Sequence, residues 1–198
     1  MPSAFPIVHL TVRSTNYWAL GAGPSRLLVD LGWPGLSGAL CAELERKNIP
    51  VSEIRYGFAT HYHMDHAGAA QDFKNRGMTL IVTPEQVPAI EPMKQWMKPE
   101  FRYTPILSDG NAVVRLVESR AYLRSIGVAG ELVHTPGHSD DSVSLLLDSG
   151  EAFTGDLTAP GFATEEDAAT VAASWQALRD RGARTVYAGH GPIRPMPR

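Results

Sequence analysis

The sequence predicts an α/β protein: an αββα sandwich of two β-rich halves with helices on the outer faces, in a single domain over residues 1–198. Three observations carry that expectation. Short apolar runs rich in Val, Ile, Leu and aromatics recur between turn-forming residues, as strands do. Segments with apolar residues at helical spacing lie among them. Both halves of the chain show this mixture and no low-complexity linker separates them, which suits one layered α/β unit.

The elements follow in order. "FPIVHLTV" (5–12), "NYWAL" (16–20) and "SRLLVDLG" (25–32), separated by the turn-formers of 14–16 and 21–25, predict a β meander. In "LSGALCAELERKN" (36–48), Leu36, Leu40 and Leu44 share a helix face, and Pro50 lies just past the end. "EIRYGFAT" (53–60) reads as a buried strand, "AGAAQDFKNRG" (67–77) as a helix ended by Gly77, and "MTLIV" (78–82) as a strand. Between Pro84 and Pro105 the pattern loosens into helical pieces and loop rich in Pro, Met and aromatics. The second half repeats the scheme: the apolar run "AVVRLV", a helix around "SRAYLRSIG", strands "GELVHT", "SVSLLLD" and "EAFTGD", a helix in "EEDAATVAASWQALRDRG" and a final strand "TVYAGHG".

Composition narrows the function classes. At 43% hydrophobic residues the chain can bury a full core, and a formal net charge of −3 with no basic run gives no electrostatic reason to expect nucleic acid as partner. The single Cys41 has no internal disulfide partner and falls in a helix, so it reads as a small buried residue. "MPSAFPIVHL" lacks a basic region followed by an apolar core, and no run approaches the ~18 apolar residues of a membrane span. The expectation is a cytoplasmic protein that engages a small molecule, with neither membrane nor nucleic acid as partner.

The chemistry concentrates in "FATHYHMDHAG". Of seven histidines, His61, His63 and His66 fall within six positions together with Asp65, on a loop leaving an apolar strand. His61 and His63 can converge on one ion while Asp65 and His66 turn to a neighbouring one. Completing two sites needs ligands from other strand ends, and His138 in "HTPGHSDDS", Asp156 in "FTGDL" and His190 in "YAGHG" stand there, each beside a glycine. Nitrogen and oxygen donors without sulfur suit zinc first, and also accept iron or manganese. Ser139, Asp140, Asp141 and Ser142 can hydrogen-bond ligand histidines or simply cap a turn. His134 reads either as a group orienting a ligand or as a satisfied buried histidine, and His9 as structural. Trp33, Tyr62, Met64, Met93, Trp96 and Met97 are candidates for the walls of a substrate pocket.

Taken together and in this order, "THYHMDHAG", "TPGHSDDS", "TGDL" and "AGHG" resemble the metallo-β-lactamase fold superfamily over essentially the whole chain. The resemblance implies two divalent metal ions, one on His61, His63 and His138 and one on Asp65, His66 and His190, with Asp156 bridging. Asp65 and Asp156 become the expected catalytic carboxylates, and a metal-bridging hydroxide the expected nucleophile.

Departures from subfamily patterns guide the choice of reaction. His63 stands where flavodiiron proteins carry glutamate, and Asp156 stands where two β-lactamase groups carry cysteine or serine. Ala159 replaces the tyrosine of acyl-homoserine lactonases, and "GDLTAPGFATEED" lacks the arginine of sulfur dioxygenases. The ligand set is most similar to that of the glyoxalase II-like group, although the sequence ends eight residues after His190, without that group's glutathione-binding helical domain. The expectation is a binuclear metallo-hydrolase of small esters or thioesters. The alternatives are a single-iron sulfur dioxygenase, a lactonase or weak β-lactamase, and, more distantly, a metal-binding regulator or a nuclease.

Overall fold

The chain opens with β1 (Val8–Val12), β2 (Thr15–Ala22) and β3 (Ser25–Val29), a meander paired antiparallel, in a computed structural model that describes residues 7–197. Helix α1 (Ser37–Arg46) then leads to β4 (Ile54–Phe58), and two short helices, α2 (Met64–Ala67) and α3 (Ala70–Lys74), to β5 (Thr79–Val82). A third short helix, α4 (Val87–Ile90), and two 3-10 turns fill the loosened segment before β6 (Ala112–Val113). These strands form one sheet in the order β1-β2-β3-β4-β5-β6, parallel from β3 onward.

Helix α5 (Leu116–Ser125) leads into the second sheet, built from β7 (Gly130–His134), β8 (Val143–Leu147) and β9 (Glu151–Gly155). After α6 (Ala168–Asp180) come β10 (Thr185–Ala188) and β11 (Arg194–Pro195), giving the order β11-β10-β9-β8-β7.

Side-chain alternation assigns each strand's two faces. Trp18, Leu20, Leu27, Val29, Phe58 and Ile81 meet Leu145, Leu147 and Phe153 between the sheets. The intervening Tyr17, Ala19, Leu28, Leu80 and Val82 face Leu40, Leu44 and Phe73 of the helices outside the first sheet. On the far side, Leu146, Ala152 and Val186 take up Val171, Trp175 and Leu178, the buried stripe of α6. Three apolar layers therefore separate helix, sheet, sheet and helix, the architecture expected from the sequence. No helix among the described residues is long and apolar enough to cross a membrane.

Four details differ from the sequence reading, and Phe5 and Pro6 of the first expected strand lie outside the described residues. The expected helix over 67–77 is instead the end of α2 and the whole of α3, separated at Gly68 and Ala69; a Cβ on Gly68 would strike the Met64 carbonyl and Pro34. In "AVVRLV" only Ala112 and Val113 are strand, and Leu116 already begins α5. Thr15, Gly21 and Ala22 belong to β2 rather than to the turns beside it. The segment after His190 adds the edge strand β11, antiparallel to β10.

Candidate metal centre

Strands β3, β4, β7, β9 and β10 all end at one edge of the sandwich, and the turn between β1 and β2 reaches the same edge. Ligands of open α/β sheets collect at such strand ends. All seven residues singled out in the sequence converge there. His61, His63 and His138 form one group, Asp65, His66 and His190 another, and His61, His66 and Asp156 a third between them; in each group the ligand atoms lie within 4.8 Å of one another. Asp156 Oδ2 is 3.3 Å from His190 Nε2, 3.4 Å from His66 Nε2 and 3.8 Å from His138 Nε2. His61 and His66 make a buried floor, while His63, His138 and His190 are exposed at the mouth.

The tautomers are set by partners behind the rings. His66 donates from Nδ1 to Asp30 Oδ2 at 2.9 Å, and His190 donates from Nδ1 to the Ser14 carbonyl at 2.7 Å. Thr60 spends its hydroxyl proton on Asp30 Oδ1 (2.9 Å), so His61 Nδ1 donates to Thr60 Oγ1 (3.2 Å). In all three rings the Nε2 lone pair is thereby turned into the cluster. His61 Nε2, His66 Nε2 and Asp156 Oδ1 are buried without a hydrogen-bond partner among the described residues. Buried polar atoms almost always have partners, and these three residues each bring a ligand atom within 4.8 Å of the others, which marks a place for a ligand. His63 Nδ1 and His138 Nε2 stand 3.0 Å apart and converge in the same way. The donor set fits divalent cations: nitrogen and carboxylate donors, with the far ring nitrogens of His61, His66 and His190 anchored.

The electrostatics differ from ring to ring: His61 and His138 are held toward the neutral form, and the carboxylates around His66 favour positive charge at that point. Burial, then the neighbouring histidines, holds His61 well below the ordinary histidine pKa, and burial lowers His138. Burial also disfavours charge on His66, but Asp30, Asp156 and Asp65 outweigh it and raise its pKa well above the ordinary value. For Asp65 and Asp156, burial pushes upward, but hydrogen bonding and charge from His66, joined by the Thr15 hydroxyl at Asp65, bring both below the usual carboxylate range.

Two glycines permit this crowding. A Cβ on Gly189 would lie 2.5 Å from His66 Cε1 and 2.6 Å from Asp156 Oδ1. One on Gly155, whose φ is +52°, would strike the Thr60 hydroxyl.

Other residues sort themselves by their contacts. Asp141 accepts from the backbone N–H of Tyr62 at 2.7 Å, fixing the loop between His61 and His63. Ser139 and Ser142 bond each other at 2.8 Å, and His134 Nε2 donates to the Asp140 carbonyl at 2.8 Å, so His134 fastens the turn that carries His138. His9 stacks on Trp18 and bonds Asn16, a structural role. Cys41 is half-buried against the core, and burial raises its thiol pKa.

Of the six candidate wall residues, Trp33, Met64 and Trp96 line a cleft of about 330 Å³ with His63 and Asp65. Tyr62 and Met93 do not line it: both are buried in the core under the first sheet, and Met97 packs against that core. Asp30, Thr15 and Ser14 were not singled out by sequence reasoning; the only signal for Asp30 was an acid closing the apolar run "LLVDLG".

The Metallo-beta-lactamase superfamily model matches residues 10–190. The chain is 31% identical over 188 residues to a Beta-lactamase-like protein 2 homolog from Caenorhabditis elegans, covering 92% of this chain and 58% of that protein. It is 30% identical to an atrochrysone carboxyl ACP thioesterase from Claviceps purpurea, covering 92% of this chain and 53% of the relative. The chain thus spans about half the length of the curated relatives it matches. The fold is shared with a metallo-beta-lactamase family protein from Thermus thermophilus, at a TM-score of 0.73 and 20% identity, covering 99% of this chain and 76% of the other. The superfamily fold implies divalent metal ions, and the His/Asp groups at the strand ends are the residues able to take them. The chain belongs to the metallo-beta-lactamase superfamily.

Proposed function

We propose that the chain, acting as one unit over residues 1–198, is a binuclear metallo-hydrolase of thioesters and esters that prefers apolar acyl groups. The observation that supports it best is the shared position of Asp156, whose Oδ2 lies within 3.8 Å of histidines from both ligand groups. His61, His63 and His138 would hold one ion, Asp65, His66 and His190 the second, with Asp156 between them and zinc the first choice of metal.

Bound there, divalent metal supplies a Lewis acid that polarises a carbonyl and acidifies water toward neutral pH. The chain's own residues do the rest. Asp65 and Asp156 keep their charge in a half-enclosed site and offset that of the cations. The buried floor of His61 and His66 excludes bulk water from one side. Trp33, Met64 and Trp96 offer apolar and aromatic surface on which an acyl group is oriented beside His63 and Asp65.

Little in the cleft suits a multiply charged carrier. Lys94 is held by Glu91 at 2.7 Å on the surface, and Arg102 ends a 3-10 turn. Relatives named as thioesterases support the thioester reading. The test is side-by-side kinetics of metal-loaded protein on S-lactoylglutathione, a simple aryl or alkyl thioester, an ester, a lactone and a β-lactam. Faster turnover of the simple apolar thioester and ester is expected. Selectivity for the glutathione thioester that falls on replacing Lys94 or Arg102 would overturn the substrate preference.

A further inference from the structure

Among the described residues, the β1–β2 turn and the start of β2 bond only one of the two ligand groups. Ser14 accepts from His190 through its carbonyl, Tyr17 donates its hydroxyl to the Asp65 carbonyl at 3.0 Å, and Thr15 donates from Oγ1 to Asp65 Oδ2 at 2.9 Å. Asn16 ties the turn down, bonding the Ala188 carbonyl at 3.1 Å and the Gly191 carbonyl at 2.8 Å on either side of His190. The group of His61, His63 and His138 is held instead by Thr60, Asp141 and the turn at Ser139.

Thr15 itself is fully buried, and its hydroxyl has a second partner: Trp33 Nε1, 3.2 Å away. An indole N–H can only donate, and a hydroxyl carries one proton. The Trp33 bond therefore occupies a lone pair of Thr15 and commits its proton to Asp65. Asp65 Oδ2, so fixed, is the oxygen facing His190 Nε2 at 3.1 Å and His66 Nε2 at 3.3 Å.

Resting on the binuclear reading above, we infer that Thr15, locked by Trp33, is a positioning residue that sets metal affinity at the Asp65, His66 and His190 group and leaves the His61, His63 and His138 group untouched. Trp33 is also a wall of the cleft, so an acyl group packed on the indole presses on the residue that holds Thr15. The Trp33–Thr15–Asp65 chain links substrate surface to one metal group.

The test is calorimetric titration of metal-free protein with zinc, repeated with cobalt to follow the absorption of each equivalent, for wild type, Thr15→Val, Thr15→Ser and Trp33→Phe. Valine keeps the shape and removes the hydroxyl, serine keeps the hydroxyl, and phenylalanine keeps the wall without its N–H. Partners behind a ligand commonly contribute about 10–100-fold in metal affinity. Thr15→Val is expected to weaken one of two equivalents by at least about 10-fold, with the other unchanged and a changed cobalt spectrum for the weakened one. Thr15→Ser restores the wild-type titration, and Trp33→Phe falls between. Two wild-type equivalents that Thr15→Val leaves unchanged, or weakens together, would overturn the positioning role alone. A wild-type protein saturating at one equivalent would overturn the binuclear reading itself.

Discussion

Asp30 and His66, 36 residues apart in sequence, meet at 2.9 Å between Oδ2 and Nδ1 with both side chains shut away from solvent. The other carboxylate oxygen, Oδ1, accepts from the Thr60 backbone N–H at 2.8 Å and from its hydroxyl. One buried acid thus joins the end of β3 to the end of β4 and aims the His66 ring. It does so from a left-handed backbone, φ 61°, a region that Asp and Asn enter more readily than most residues.

Replacing Asp30 by alanine leaves the Thr60 and His66 donors buried without an acceptor. Breaking such a buried pair costs about 3–5 kcal/mol. Thermal melting of the variant should fall by roughly 6 °C or more. Asp30→Asn, which keeps an acceptor and suits the backbone, should lose less stability yet still weaken metal binding. Equal melting of wild type and Asp30→Ala would contradict the account.

Gly189→Ala tests crowding at the centre. The added methyl meets His66 Cε1 and Asp156 Oδ1, so metal content and activity should drop by at least about 10-fold, the lower end of what displaced ligand supports cost. Gly161→Ala, where a Cβ has nothing within 4 Å, is the matched control and should retain both.

Trp96 should act on substrate and hardly on the fold. Its side chain is 60% exposed at the cleft, while neighbouring Met93 is buried in the core. Trp96→Ala should raise KM for an apolar thioester about 10-fold, equivalent to about 1.4 kcal/mol, with little change in melting. Met93→Ala should instead destabilise by about 2–5 kcal/mol. Kinetics and melting on the two variants separate the roles.

What was legible in the sequence, and what was not, follows from the range of each interaction. The candidate ligand residues stood out because "HYHMDH" packs four donors into six positions, and because His138, Asp156 and His190 each follow an apolar strand. The layers were legible because period-two and helical patterns are local. Asp30 looks like the polar end of a strand and Thr15 like an ordinary turn residue until strands far apart in sequence bring His66 and Asp65 to them. Tyr62 lies between His61 and His63 in sequence but points the other way, into the core, because alternate residues of an extended segment face opposite sides. Strand β11 has only Arg194 and Pro195 and exists through its pairing with β10, which no local pattern announces.

The central claim is that two metals shared through Asp156 drive thioester hydrolysis. Its most direct test is turnover of a simple apolar thioester by metal-free protein as zinc is added stepwise, with bound metal measured in the same samples, for wild type and Asp156→Ala. The account predicts activity that rises to a plateau at two equivalents in the wild type, and an Asp156→Ala protein that stays folded, retains less metal and loses most activity. A plateau at one equivalent, or full activity of Asp156→Ala at saturating metal, would contradict it.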